Sequence, residues 1–166
     1  MKNYAGPTDI MYHTGLSADM IRGAKYALLP GDPGRVEGLA KALDENALFV
    51  ASHRDYTTWL AQVENAPVLV MSTGMGGPCV TFAVEELARL GVETFIRVGT
   101  TGSIQEDLHL GDVVINTASV RMDGASRAYA PVEFPAVADM DTVLALREAA
   151  ADSRVPFRTG ISVSTD

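Results

Sequence analysis

Two arginines sit where the surrounding residue types could hold a ligand. Arg97 interrupts an apolar run, Phe95-Ile96 and Val98, and the chain then turns through Gly99-Thr100-Thr101-Gly102. Arg35 closes the turn Pro30-Gly31-Asp32-Pro33-Gly34-Arg35. A guanidinium on a core-like strand is costly unless an anion or a carboxylate answers it. Glycines let the backbone approach a ligand closely, and neighbouring hydroxyls both donate and accept hydrogen bonds. The turn at 31–34 leads into a helical pattern, whose first N–H groups and positive end suit an anion, and Arg35 adds a bidentate donor there. Together these residues point to a phosphate-like anion held beside a small polar ligand at the carboxyl ends of strands. A structural arginine paired with a carboxylate, followed by ordinary turns, is the competing reading.

Other chemistries find less support. His13, His53 and His109 have no metal-like spacing, and each has a surface or supporting role as its simplest reading. Cys79 opens a helix without an evident histidine partner, so a buried structural thiol is expected. Gly74-Met75-Gly76 begins a dinucleotide-type pattern, but Cys79 stands at its third glycine position. No Gly-Lys-Ser or Gly-Lys-Thr is present, so a Walker loop drops out. Thirteen basic and 21 acidic residues give a net charge of −8, which argues against a nucleic-acid surface. A single cysteine excludes an internal disulfide, and no apolar run approaches membrane-spanning length. A cytoplasmic protein is expected.

The elements that must position these groups alternate between strand and helix. The stretch 1–23 reads as mixed and polar. Strands are expected at 24–29, 47–52, 56–63, 68–73, 95–98, 113–120 and 159–164. Glu64-Asn65-Ala66-Pro67 reads as the turn of a hairpin. Helices are expected after Arg35, with Val36, Leu39, Ala40 and Leu43 on one face, and after Gly77, with Val80, Ala83, Val84, Leu87 and Leu90 in a stripe that Gly91 ends. A third covers 141–152, capped by Asp139 or Asp141, after a polar loop at 121–139. This order predicts an α/β fold with a mixed sheet covered by helices. The last strand lacks the ligand loop and helix that should follow it, so residues 1–166 are expected to be a single domain without its C-terminal part.

Four stretches together resemble the nucleoside phosphorylase family, and within it the hexameric uridine phosphorylases: 30–35, Ala51-Ser52-His53-Arg54-Asp55-Tyr56-Thr57-Thr58-Trp59, Ser72-Thr73-Gly74-Met75-Gly76-Gly77-Pro78, and 97–102. Asp123-Gly124-Ala125-Ser126 and the segment 133–139 add to the likeness. The resemblance implies a three-layer α/β/α fold with a central mixed sheet and reversible phosphorolysis of uridine to uracil and ribose 1-phosphate. It implies phosphate binding by Gly31, Arg35, Arg97, Gly99 and Thr100, with Arg54 reaching the phosphate of a neighbouring subunit. Thr100, Thr101 and Gly102 would line the nucleoside pocket, and His13 would lie near the neighbour's ribose 5′-hydroxyl. Arg97 and Thr100 are the implied catalytic pair. Inorganic phosphate is the implied co-substrate, no cofactor is expected, and the partner is a homo-oligomer, a hexamer built from dimers. An intersubunit monovalent cation would fall at Asp55, Met75 and Cys79, but a short carboxylate and a thiol suit a hard cation poorly, so no metal is expected. The Thr-Thr-Gly run favours a pyrimidine over a purine nucleoside. A purine nucleoside phosphorylase of the same fold and a non-catalytic nucleoside-binding protein are the alternatives.

Overall fold

Side chains of successive residues on the central strands enter two different cores. The computed structural model describes residues 6–166; the first five residues of the polar amino-terminal stretch lie outside the described residues. The chain forms two compact units, one ending at Thr100 and the other running from Thr101 to Asp166.

In the first unit, β1 (Tyr26–Pro30), β2 (Leu48–His53), β3 (Tyr56–Val63), β4 (Ala66–Met71) and β5 (Thr94–Val98) form one sheet in the order β2-β3-β4-β1-β5. The β2–β3 and β3–β4 pairs are antiparallel, whereas β1 lies parallel to both β4 and β5, so the sheet is mixed as expected. Ala27, Leu29, Leu60, Leu69 and Met71 pack with Ala83, Leu87 and Leu90 of α3 (Gly77–Leu90). Ala61 and Val70, each one residue out of phase with that set, pack instead with Val36 and Ala40 of α2 (Val36–Leu43). The period of two along the strands thus places helices on both faces and makes three layers.

Three differences from the sequence expectations have physical causes. The amino-terminal stretch is not simply polar: α1 (Ala18–Ile21) and the residues before it send Leu16 and Ile21 fully into the α3-side core. Two apolar residues among polar ones carry no period that would announce this. The first strand begins at Tyr26 rather than residue 24, because the Ala24 N–H still donates to the Ile21 carbonyl in the turn that follows α1. The β3–β4 hairpin turns on Glu64 and Asn65 alone, both left-handed at φ 48° and 68°, and Ala66 and Pro67 belong to β4. Two left-handed residues make the turn whose twist suits a two-residue hairpin, and Pro67 is accommodated within the β3–β4 ladder.

In the second unit, β6 (Val113–Arg121) lies between β7 (Ala136–Val137), antiparallel, and β8 (Phe157–Ser164), parallel. A third long helix, α4 (Met140–Asp152), packs on β6, with Ile115 and Val143 buried. Asp139 caps it, accepting from the Thr142 N–H at 2.8 Å. The expected polar loop at 121–139 contains a 3-10 turn at 125–128 and the short β7, and it is gathered around Arg121. Arg121 donates to the Ser126, Ala130, Pro131 and Phe134 carbonyls and to the Ser126 hydroxyl, at 2.6 to 3.0 Å. Among the described residues, no helix is long and apolar enough to cross a membrane.

The left-handed Asn65 gives a test of the hairpin. Asn65→Gly should leave stability within about 0.5 kcal/mol, whereas Asn65→Val should cost about 1 kcal/mol or more, read from urea unfolding midpoints.

Candidate functional site

Parallel pairing of β1 with β5 sets Leu29 opposite Arg97 and Pro30 opposite Val98, so the turns that follow both strands leave the same edge of the sheet. After β1 the chain enters Gly31 and Asp32, whose carboxylate accepts from the Gly34 N–H at 2.8 Å. This cap starts a 3-10 turn at 33–35 that runs directly into α2 and delivers Arg35. Asp32 thus caps this turn while also lining a cavity. After β5 the chain passes through Gly99 to Thr100. Gly31, Asp32, Arg35, Arg97, Gly99 and Thr100 line one cavity of about 320 Å³.

Arg97 occupies the exposed position of β5 rather than a core position. Its Nη1 donates to the Leu29 carbonyl at 2.9 Å and to its neighbour Val98 at 3.1 Å. Backbone carbonyls thus hold the guanidinium, and among the described residues no carboxylate forms an ion pair with Arg97 or Arg35. Burial, together with the positive charge of Arg35, pulls the Arg97 pKa down from its ordinary value. Two like charges close enough to disfavour each other, neither ion-paired although Asp32 lines the same cavity, favour an anion there.

Glycine is required at the cavity floor. A Cβ on Gly31 would stand 3.0 Å from Arg97 Nη2 and 3.4 Å from the Gly74 carbonyl. The Gly74 N–H donates to the Gly31 carbonyl, and Thr73 N–H to the Pro30 carbonyl, both at 2.9 Å, which ties this turn to the loop that opens α3.

The remaining expected site residues lie elsewhere. His13 and Arg54 belong to the first unit but do not line the cavity. Arg54, left-handed at φ 55°, sits 5.3 Å above the Tyr12 ring. His13 stacks on Phe82, with ring centroids 4.0 Å apart, and meets Tyr12 edge-on. Thr101 and Gly102 begin the second unit and are exposed, with the Thr101 hydroxyl donating to the Gly102 carbonyl at 3.2 Å. Asp55 abuts Gly74, Met75 is 92% exposed, and the Cys79 carbonyl accepts from the Tyr56 hydroxyl at 3.0 Å. Burial, and then the neighbouring Cys79, Glu86 and Asp55, push the Tyr56 phenol up to about 12, so it stays a donor. Among the described residues, no three His, Cys, Asp or Glu side chains are grouped to hold a metal.

Glu86 is the polar residue that the sequence did not disclose. It is 7% exposed on α3 and accepts from the backbone of His13 at 3.0 Å and of Thr14 at 2.8 Å, and it meets His13 Nδ1 at 2.6 Å. Burial opposes its charge, but the hydrogen bonds from Thr14 and His13 outweigh burial and hold the carboxyl below the ordinary glutamate range. The available signal was its place three residues after Ala83 and beside Leu87, inside the buried arc of the helix.

The sequence profile of the phosphorylase superfamily matches residues 25–166. The chain belongs to the phosphorylase superfamily. Within this superfamily it is 50% identical over 156 residues to a uridine phosphorylase of Escherichia coli K12, a match that covers 94% of the chain and 61% of that enzyme. A uridine phosphorylase of Thermococcus kodakarensis is 49% identical over 143 residues, covering 86% of the chain and 51% of its own length. A guanosine phosphorylase of Halorubrum lacusprofundi is 43% identical over 142 residues, covering 86% and 58% respectively. The chain thus spans about three-fifths of the length of the Escherichia coli relative. Superfamily membership agrees with the α/β architecture of mixed sheet and covering helices seen in the first unit.

Gly31→Ala should displace the flexible tip of Arg97 rather than the backbone. Affinity for inorganic phosphate, measured by calorimetry on the full-length protein, should fall about tenfold or more, with the unfolding midpoint nearly unchanged. Glu86 gives a pH signature. Its folded pKa lies below the ordinary 4.5, so its stabilisation is present above pH 4.5 and is lost as pH falls through the folded value. Glu86→Gln should therefore flatten the fall in denaturation midpoint below pH 4.5.

Proposed function

We propose that the chain is the anion-binding part of one phosphorylase-type domain, and that the whole protein carries out reversible phosphorolysis of uridine. The observation that carries this reading is the cavity at 31–35 and 97–100, where Arg35 and Arg97 converge without a carboxylate partner. The likeness to uridine phosphorylases supplies the substrate.

In this reading Gly31, Arg35, Arg97, Gly99 and Thr100 hold inorganic phosphate, and Thr100, Thr101 and Gly102 line the nucleoside pocket. A phosphate oxygen forms a bond to the anomeric carbon as the bond from that carbon to the base nitrogen breaks. The base departs with the electron pair and takes up a proton. Positive charge grows on the sugar between the two events, and the bound phosphate stabilises it while the guanidiniums fix the nucleophile in line. No covalent enzyme nucleophile or cofactor is needed. Homo-oligomeric assembly, as a hexamer built from dimers, would bring Arg54 to a neighbour's phosphate and His13 to a neighbour's ribose 5′-hydroxyl. A single free cysteine suits the cytoplasm as the setting.

The 43% identity to a guanosine phosphorylase supports a second reading, a purine nucleoside as substrate. The full-length protein separates them: uracil release from uridine that requires added phosphate supports the first reading, and faster turnover of guanosine supports the second. Release without phosphate means hydrolysis, and no release from either nucleoside means a binding protein. Arg97→Ala should lower phosphate-dependent kcat/KM by at least about 100-fold, the scale for removing a charge-stabilising donor. Near-normal turnover in that variant would remove Arg97 from the proposed site.

A further inference from the structure

Away from the arginine cavity, a buried carboxylate in the first unit holds both a backbone turn and one imidazole. Glu86 sits on α3 and reaches a segment 73 residues earlier in the chain. Its Oε1 accepts the His13 N–H and lies 2.6 Å from His13 Nδ1, while Oε2 accepts the Thr14 N–H. An ionised carboxylate has only acceptors, so the hydrogen in the 2.6 Å contact belongs to Nδ1. In a ring that carries one hydrogen, the lone pair is then on Nε2. Phe82 lies nearly parallel to the ring at 13°, and Tyr12 meets it at 88°, so the ring plane is fixed from two sides. Flipping the ring would break the carboxylate contact. The His13 side chain remains 28% exposed, and Nε2 forms no hydrogen bond among the described residues.

We propose that Glu86 is a positioning residue that holds His13 in its Nδ1–H form, so that Nε2 is presented to the ligand as an acceptor for a neutral hydroxyl donor. The proposal rests on the reading of His13 as nucleoside-facing, and it makes the Glu86–His13 pair a determinant of specificity for a sugar that keeps its 5′-hydroxyl. A carboxylate behind an imidazole fixes both tautomer and orientation, as with histidines elsewhere whose second nitrogen is held by an acid. Glutamine cannot replace it fully, because one amide oxygen would have to serve the three donors now shared between two carboxylate oxygens.

The test uses the full-length protein and has two arms. Nitrogen-15 spectra of the free wild-type enzyme, with His13 assigned through the His13→Ala variant, should show hydrogen on Nδ1 and a lone pair on Nε2. A wild-type ring with hydrogen on Nε2, alone or together with Nδ1, overturns the proposal without any need for Glu86 to be altered. In the kinetic arm, Glu86→Gln should raise KM for uridine about 3- to 10-fold, the scale for a weakened hydrogen bond, with kcat changed less. KM for 5′-deoxyuridine should be unchanged, and Glu86→Gln should add nothing in a His13→Ala background. Equal rises for both nucleosides, or additive effects of the two substitutions, would mean that Glu86 acts structurally and not through His13. If the protein cleaves no nucleoside, the phosphorolysis reading fails by itself, and the ring spectrum still decides how Glu86 sets the tautomer.

Discussion

Two guanidinium groups lining one cavity, with Arg97 held by backbone carbonyls and neither arginine in an ion pair with an acid among the described residues, are the constraint around which the first unit is arranged. Each charge raises the cost of the other, and burial adds to that cost for Arg97. The fold meets the constraint with geometry. Parallel pairing of β1 and β5 in register brings their carboxyl ends together, and the Leu29 carbonyl takes one Arg97 donor. Gly31 leaves the room that Arg97 occupies, and the capped turn at 32–35 brings Arg35 to the same cavity. An acid placed between them would stabilise the empty protein and occupy the space an anion needs.

Arg121 shows the opposite use of the same side chain. Its nitrogens are engaged by four carbonyls and one hydroxyl, and its function is exhausted in folding the loop that it closes. Arg97 spends donors on two carbonyls and lines a cavity. The residue type is the same in both places. The number of donors already satisfied separates a structural arginine from one available to a ligand.

This contrast also explains what could be read from the sequence. Glycines and arginines after apolar runs were visible because turn chemistry is local, and Gly31, Arg35, Arg97, Gly99 and Thr100 line one cavity. Strand and helix positions followed from local periodicity, and Gly91 ends α3 with φ at 104° as its type suggests. The hub role of Arg121 was not legible, since its acceptors are mostly main-chain carbonyls that every residue possesses. Leu16 and Ile21 gave no period, and Glu86 satisfies partners 72 and 73 residues away. Arg97 looked like a core residue because its neighbours are apolar, yet the strand exposes it. Arg97 pairs with Leu29 and shares the phase of Phe95, both packed on the α3-side core, so its exposure comes from its place near the carboxyl end of the strand.

The two hydrogen bonds that carry the β4–β1 ladder past the ends of both strands, from Thr73 to Pro30 and from Gly74 to Gly31, have a mechanical result. They rivet the loop before α3 to the turn before α2. Neither segment can swing outward by itself without breaking main-chain bonds. The start of one helix is thereby tied to the start of the other by main-chain hydrogen bonds.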